Sequence, residues 1–310
     1  MSETWDVVIV GGGSAGLSAA LMLVRARRRV VVLDGAAPRN RFAPHMHGVL
    51  GHDGLPPTEL LARGRAEVES YGGVIVPADV VGASRSDEGF AVVTGDGSRF
   101  VGRRLVVATG LRDELPAVPG LAEQWGRGVV SCPYCDGYEV RDRRIGVLAG
   151  GPGSVARAQL IRQWSSSLVY LTDGGDTPDP DDRAGLEARG VELVEAPVAR
   201  VLTSDGTLTG VELVGGVSID LDVLFAMPHP APHDEVLRQL GAAHADSPHG
   251  SFVTVDAFGA TSVVGVWAAG NVVDPRANVP VAMGAGASVG GAVNHDLVLE
   301  DVRLALAVSA

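Results

Sequence analysis

Cysteine is nearly absent. The 310 residues contain two, too few for a disulfide framework, and with no second pair of the same kind a four-ligand structural zinc site is disfavoured. Basic residues are outnumbered 25 to 37, for a formal charge of −12. That balance argues against a nucleic-acid surface, because phosphate binding depends on clustered cations that release counterions. The one basic run, residues 25–29, falls late in a helical stretch, where cations suit the helix dipole and solvent. No apolar run approaches a membrane span, and the opening Met-Ser-Glu-Thr-Trp is not a secretory signal. A cytoplasmic protein that touches neither membrane nor nucleic acid is expected. Aromatics are also scarce, whereas glycines number 42 and gather in turns after apolar runs, where backbone must approach something closely. The length suits two domains, each with its own core.

The two cysteines stand three apart in Val130-Ser131-Cys132-Pro133-Tyr134-Cys135-Asp136-Gly137-Tyr138-Glu139. A pair at this spacing can close a small disulfide, be opened by a thiolate and pass two electrons onward. Two other readings exist: zinc ligands completed by scattered histidines, or inert core thiols. The flanking Pro, Asp and Gly suit a turn that opens a helix better than a packed interior. Redox chemistry is favoured, and no metal is expected.

Residues 6–10 form a short β-branched run leading into Gly11-Gly12-Gly13-Ser14-Ala15-Gly16, then a helix over 17–28 and a second buried strand, 30–33, ending at Asp34. Strand, glycine turn, helix, strand and terminal acid at these separations predict a dinucleotide-binding fold. The glycines admit a pyrophosphate at the helix N-terminus, and Asp34 can accept from ribose hydroxyls. An irregular stretch, 38–57, carries His45, His47 and His52, which either face a reaction centre or are solvated. A helix over 58–71 and strands at 74–76, 80–84, 90–94 and 100–107 follow, the last running into Ala108-Thr109-Gly110.

Beyond a proline-bearing crossing at 115–120 the opening pattern repeats: strand 145–148, glycine turn 150–155, helix to about 164, strand 168–171. A β-rich passage runs to 225, an extended crossing follows at 228–232, and a short helix spans 234–240. Near the end, Gly265-Val266-Trp267-Ala268-Ala269-Gly270-Asn271 is again strand into glycine. The Asn271 amide can there reach ribityl or phosphate oxygens, and the small residues of 280–299 allow a helix to pack closely beneath a cofactor. The tail therefore completes the first domain. The predicted fold is α/β with two Rossmann-like nucleotide-binding domains, residues 116–244 being inserted between 1–115 and 245–310.

Gly11 to Gly16, Asp34, Ala108-Thr109-Gly110, Cys132 to Gly137 and Gly265 to Asn271, in that order, resemble the low-molecular-weight thioredoxin reductases along essentially the whole chain. The resemblance implies FAD in the first domain, a redox disulfide on the second and a homodimer. By position, FAD would be held by Gly11, Gly13, Ser14, Ala15, Gly16, Asp34, Gly35, Arg39, Val80, Ala108, Thr109, Gly110, Gly270, Asn271 and Ala282. Cys135 would be the sulfur nearest the flavin, Cys132 the one that exchanges with substrate thiols, and Asp136 the acid/base serving both.

The departures set the direction of flow. Where such a reductase has a G-G-G-x-x-A turn and then arginines for the NADPH 2′-phosphate, this chain has Ala149-Gly150-Gly151-Pro152-Gly153-Ser154 and Thr172-Asp173-Gly174-Gly175. A carboxylate roughly 5 Å from that phosphate costs on the order of 1 to 7 kcal/mol. Asp173 leaves room for the unphosphorylated ribose of NADH, although Ala149 and Pro152 disturb the turn. Asn271 replaces the usual aspartate. In these respects, in the Cys-Pro-Tyr-Cys spelling, and in His45 and His47 as candidate catalytic residues, the chain looks like the FAD-dependent dithiol oxidases that close gliotoxin- and holomycin-type disulfides. The implied reaction oxidises a small-molecule dithiol through Cys132 and Cys135, with electrons passing to FAD and then O₂ to give H₂O₂. A NAD(P)H-dependent thioredoxin or disulfide reductase is the alternative, and a non-catalytic flavin-bound redox sensor a third reading.

Overall fold

In a computed structural model of the chain, described for residues 4–151, 153–175 and 177–309, the contacts divide the protein into two compact units. One takes in the chain up to Arg41, Pro57–Arg112 and everything from Pro230 on; the other is Phe42–Pro56 with Asp113–His229. Besides a three-residue shift at Arg112, the boundaries differ from the expected ones at two places, for visible reasons. Val236 and Leu237 are buried among Val8, Val10 and Leu33 of the first unit, so residues 230–244 group with it. Phe42 lies against Gly126, where an added Cβ would come within 2.7 Å of it, so the histidine loop groups with the cysteine unit.

The first unit is built on a seven-stranded sheet. Val74–Pro77, Val30–Asp34, Trp5–Val10 and Arg99–Val107 lie side by side in parallel. Along its free edge Arg99–Val107 pairs antiparallel with Gly89–Thr94, itself paired with Val80–Ser86, and further on takes Val266–Ala268 in parallel. Val7, Val8, Ile9 and Val10 are all buried, which is why this strand is a continuous apolar run and not an alternating one.

The helix Ser14–Arg25 covers one face through Ala15, Ala19, Leu23 and their neighbours. It starts three residues before the expected position and stops three before the expected end, because Arg27 is left-handed at φ +65°. The basic run is correspondingly not all solvent-facing: Arg28 donates to Asn294 and pairs with Asp301.

The C-terminal helix, Val279–Val308, runs nine residues past the expected end. It lies so close to the first helix that a Cβ on Gly286 would strike the Ala15 carbonyl, and one on Gly290 would sit 2.7 Å from that of Ala19. Its far half is tied down by Arg103, which reaches Asp6, Glu300 and Asp301, and by Arg104 to Asp296. The chain has no lysine, so these clamps use the planar guanidinium fork. No helix of the described residues is long and apolar enough to cross a membrane.

The second unit repeats the parallel pattern in smaller form, in the order Glu192–Val194, Leu168–Leu171, Ile145–Leu148, Val223–Phe225, Val129–Val130. A three-stranded antiparallel sheet, Val198–Ser204, Thr207–Leu213 and Ser218–Asp220, stands beside it.

Candidate functional site

The glycine turn of the first unit has the form a dinucleotide demands. A side chain on Gly11 would collide with the Ala108 carbonyl and one on Gly16 with the Gly11 carbonyl, while one on Gly12 would lie 2.6 Å from the Asp34 carboxyl. Gly13, by contrast, has open space on its Cβ side. It is also the N-cap of Ser14–Arg25, with no side chain capping the helix, so the first-turn N–H groups at Ser14, Ala15 and Gly16 are offered to an anion. Asp34 Oδ1 accepts from the N–H groups of Gly12 and Ala36, both at 3.1 Å, and Oδ2 pairs with Arg65 at 2.6 Å. The acid is oriented before any ribose arrives, and Arg65 is a partner that sequence reasoning missed.

The other cofactor candidates of this unit gather around the same strand ends. Gly270, at φ +78°, leaves its missing Cβ 2.9 Å from that of Ala15; Ala108 and Ala282 are buried. Thr109 Oγ1 donates to the His233 carbonyl at 2.6 Å, and the Gly110 carbonyl accepts from the His233 N–H. Gly35 faces Asp79, Arg39 donates to the Pro275 carbonyl at 2.8 Å, and Val80 opens the strand Val80–Ser86. Asn271 differs from expectation. Both protons of its amide are taken, by the carbonyls of Asp274 and Ala277 at 2.9 Å, so its donors hold the 270–277 turn and are not available to a cofactor.

In the second unit Cys132 and Cys135 form a disulfide with Cα atoms 5.2 Å apart. Cys132 is the extended N-cap of the short helix Pro133–Asp136, and its carbonyl accepts from the N–H groups of Cys135 and Asp136. Asp136 follows at once. Burial above all, and then the charge of Glu139, raises its carboxyl to about 6, with His47 pulling the other way. The histidine loop does reach this segment: His47 Nδ1 stands 3.3 Å from Asp53, and Nε2 3.5 Å from Glu139. Asp53 is held by the Gly48 N–H at 2.8 Å, and that bond together with His47 lowers its pKa. His45 turns away, its Nδ1 on the Gly54 carbonyl at 3.0 Å, and His52 bonds through its backbone to Val49 and Leu55.

Tyr134 and Tyr138 are exposed on either side of Cys135 and Asp136. The first meets Trp164 edge to face at 5.7 Å, and the second lies under the Arg141 guanidinium. Glu139 was legible in principle, lying three residues past Asp136; Asp53 and Trp164 carried no local signal.

The second glycine turn closes on itself. Ser154 Oγ, buried, accepts from the Gly150 N–H at 2.9 Å and donates to the Gly151 carbonyl at 2.7 Å. Pro152 lies outside the described residues. Asp173 is left-handed at φ +50°, and its Oδ1 accepts from the Val198 N–H at 2.8 Å. The carboxylate expected to oppose a 2′-phosphate or hold an unphosphorylated ribose is thus bonded to the backbone of the neighbouring sheet. Among the described residues no cluster of metal-binding side chains occurs.

The sequence matches the family described as pyridine nucleotide-disulphide oxidoreductase over residues 5–286. It is 33% identical to thioredoxin reductase tcpT of Claviceps purpurea and 30% identical to thioredoxin reductase sirT of Leptosphaeria maculans, in each case across 96% of both chains. Among solved structures, HlmI aligns over 100% of this chain and 97% of its own with 45% identity and a TM-score of 0.94. An oxidoreductase from Agrobacterium tumefaciens aligns over 96% and 99% with 37% identity and a TM-score of 0.90.

Proposed function

The chain belongs to the pyridine nucleotide-disulphide oxidoreductases and is a flavin-dependent disulfide oxidoreductase that uses FAD, and from that premise we propose that it works as a dithiol oxidase with O₂ as the electron acceptor. The carrying observation is the second glycine turn and its acid. Ser154 occupies the Gly150 N–H, and Asp173, fixed by Val198, stands where a reductase would offer arginines to the 2′-phosphate. Electrons then enter through the cysteines.

A thiolate of the substrate attacks Cys132, the Cys132–Cys135 bond breaks, and Cys135 leaves as thiolate. The second substrate thiol attacks the substrate sulfur of the mixed disulfide; the product disulfide forms and Cys132 takes the electron pair. Asp136, raised to about 6, is poised near neutrality to take and return the thiol protons. His47, with a carboxylate before each ring nitrogen, pulls the Asp136 carboxyl back toward its ordinary range. FAD, which the 11–16 glycine turn and Asp34 would hold, would supply the acceptor for the electron pair of the enzyme dithiol and its onward route to O₂, which with two protons gives H₂O₂. A small-molecule dithiol substrate, a cytoplasmic location and a homodimeric state belong to the same proposal.

The competing reading is a NAD(P)H-driven disulfide reductase, which the names of the relatives favour. Anaerobic mixing of the oxidised holoprotein with NADPH, NADH and dithiothreitol in turn separates the two. The dithiol is expected to bleach the flavin orders of magnitude faster than either nicotinamide; a deficit of about 4 kcal/mol in nicotinamide affinity is already nearly a thousandfold. Bleaching by micromolar NADPH within the dead time, with millimolar dithiol inert, would establish the reductase instead.

A further inference from the structure

Arg157 lies in the first turn of the helix Ser154–Ile161, which follows the second glycine turn. Its guanidinium is half-buried, and burial lowers its pKa from the ordinary arginine value. Its Nη1 donates to the Ser131 carbonyl, the peptide oxygen immediately before Cys132. Among the described residues no carboxylate stands within ion-pair distance of it, unlike Arg28, Arg103 or Arg104. A cation drawn out of water without a counter-ion is costly unless something nearby becomes negative. During exchange something does: the sulfur one residue beyond its hydrogen-bond acceptor.

We propose that Arg157 is a positioning residue for the exchange half-reaction, its charge held at the Ser131 carbonyl so as to stabilise the thiolate of Cys132. The assignment rests on Cys132 being the exchanging sulfur, as set out above. When the second substrate thiolate attacks the substrate sulfur of the mixed disulfide, the new S–S bond forms, the bond to Cys132 Sγ breaks, and the electron pair stays on Cys132. A leaving thiol of lower pKa departs faster.

The other charges around the cysteines are Asp136 and Glu139 on the redox segment itself, and His47 with Asp53 from the 42–56 loop. Arg141 is engaged on the Tyr138 ring. Arg157, from the helix Ser154–Ile161, is therefore the cation hydrogen-bonded to the peptide that precedes Cys132. For a cation and a thiol roughly 7 Å apart in general, an effective dielectric of about 20 to 80 corresponds to a pKa lowered by about half a unit to almost two units.

The test uses holoprotein carrying Cys135→Ser, which leaves Cys132 as the one cysteine of the chain, and follows the rate of iodoacetamide alkylation against pH. Arg157→Gln keeps a donor for the Ser131 carbonyl and drops the charge; Arg157→Lys keeps the charge. The glutamine variant is expected to move the alkylation midpoint up by about one unit, with roughly five- to tenfold slower reaction below the midpoint, and the lysine variant to retain the parental midpoint. Should the glutamine protein fail to fold, Arg157→Met, which retains the buried stem, is expected to shift it the same way. An unmoved midpoint in whichever neutral variant folds, or equal shifts for glutamine and lysine, overturns the proposal. The titration involves neither oxygen nor nicotinamide, so its failure and a failure of the oxidase reading are separate results.

Discussion

Asp136→Asn tests the acid/base assignment through stability as well as rate. Burial and Glu139 raise this carboxyl from 3.8 to about 6. Two units of rise correspond to about 3 kcal/mol against the ionised form. Because the side chain retains some solvent contact, roughly 1 to 2 kcal/mol is the usable figure. The sign follows from linkage: below about pH 4 the carboxyl is protonated in both folded and unfolded chains and its contribution is fully present. As pH rises toward 6 the unfolded chain releases the proton first, and once the folded pKa is passed the native state bears the whole cost.

Asparagine does not titrate, so its stability relative to the parent should improve by roughly 1 to 2 kcal/mol between pH 4 and pH 8. Urea midpoints of the FAD-saturated proteins at the two pH values measure this. Over the same range dithiol-driven bleaching of the flavin should fall by about 10²- to 10⁴-fold, and the limb of the parental pH–rate profile near 6 should disappear. A stability difference that does not change with pH would show the carboxyl to be ordinary, and an unaffected rate would remove Asp136 from the proton path.

Two further outcomes are expected. Asn271→Asp removes both donors that hold the Asp274 and Ala277 carbonyls and sets carboxylate oxygen against them. It should lower the thermal midpoint by the equivalent of about 2 kcal/mol and weaken FAD retention; an unchanged midpoint would show the turn to be held by other contacts. In the reduced holoprotein, a long-wavelength thiolate-to-flavin charge-transfer band should survive Cys132→Ser and vanish in Cys135→Ser, and the opposite pattern would exchange the roles of the two sulfurs.

What the sequence exposes is whatever the backbone requires within a few residues. The glycines at 11, 12 and 16 are legible because a Cβ at each would collide with Ala108, Asp34 or Gly11, and no other residue type meets that demand. The two parallel-sheet units are legible for a similar reason: the buried stretches of strands such as Trp5–Val10, from Val7 on, and Leu168–Leu171 are apolar at every position. Ends of elements read less well. The first helix stops at a left-handed arginine with no glycine to mark it, and the C-terminal helix continues on ion pairs from Arg103 and Arg104, about two hundred positions away in sequence.

The polar part of the candidate site was least legible, because its partners are set by tertiary approach. Asp53 and Glu139 meet on either side of His47 from segments 86 positions apart, and Arg157 reaches Ser131 across 26. Asn271 shows how a motif position can carry a local duty that the motif does not reveal. Its place after the strand and glycine marks it for a cofactor, yet the turn it opens has two carbonyls to satisfy, and an amide can donate to both where a carboxylate cannot. The replacement of acid by amide is therefore first a statement about the 270–277 turn.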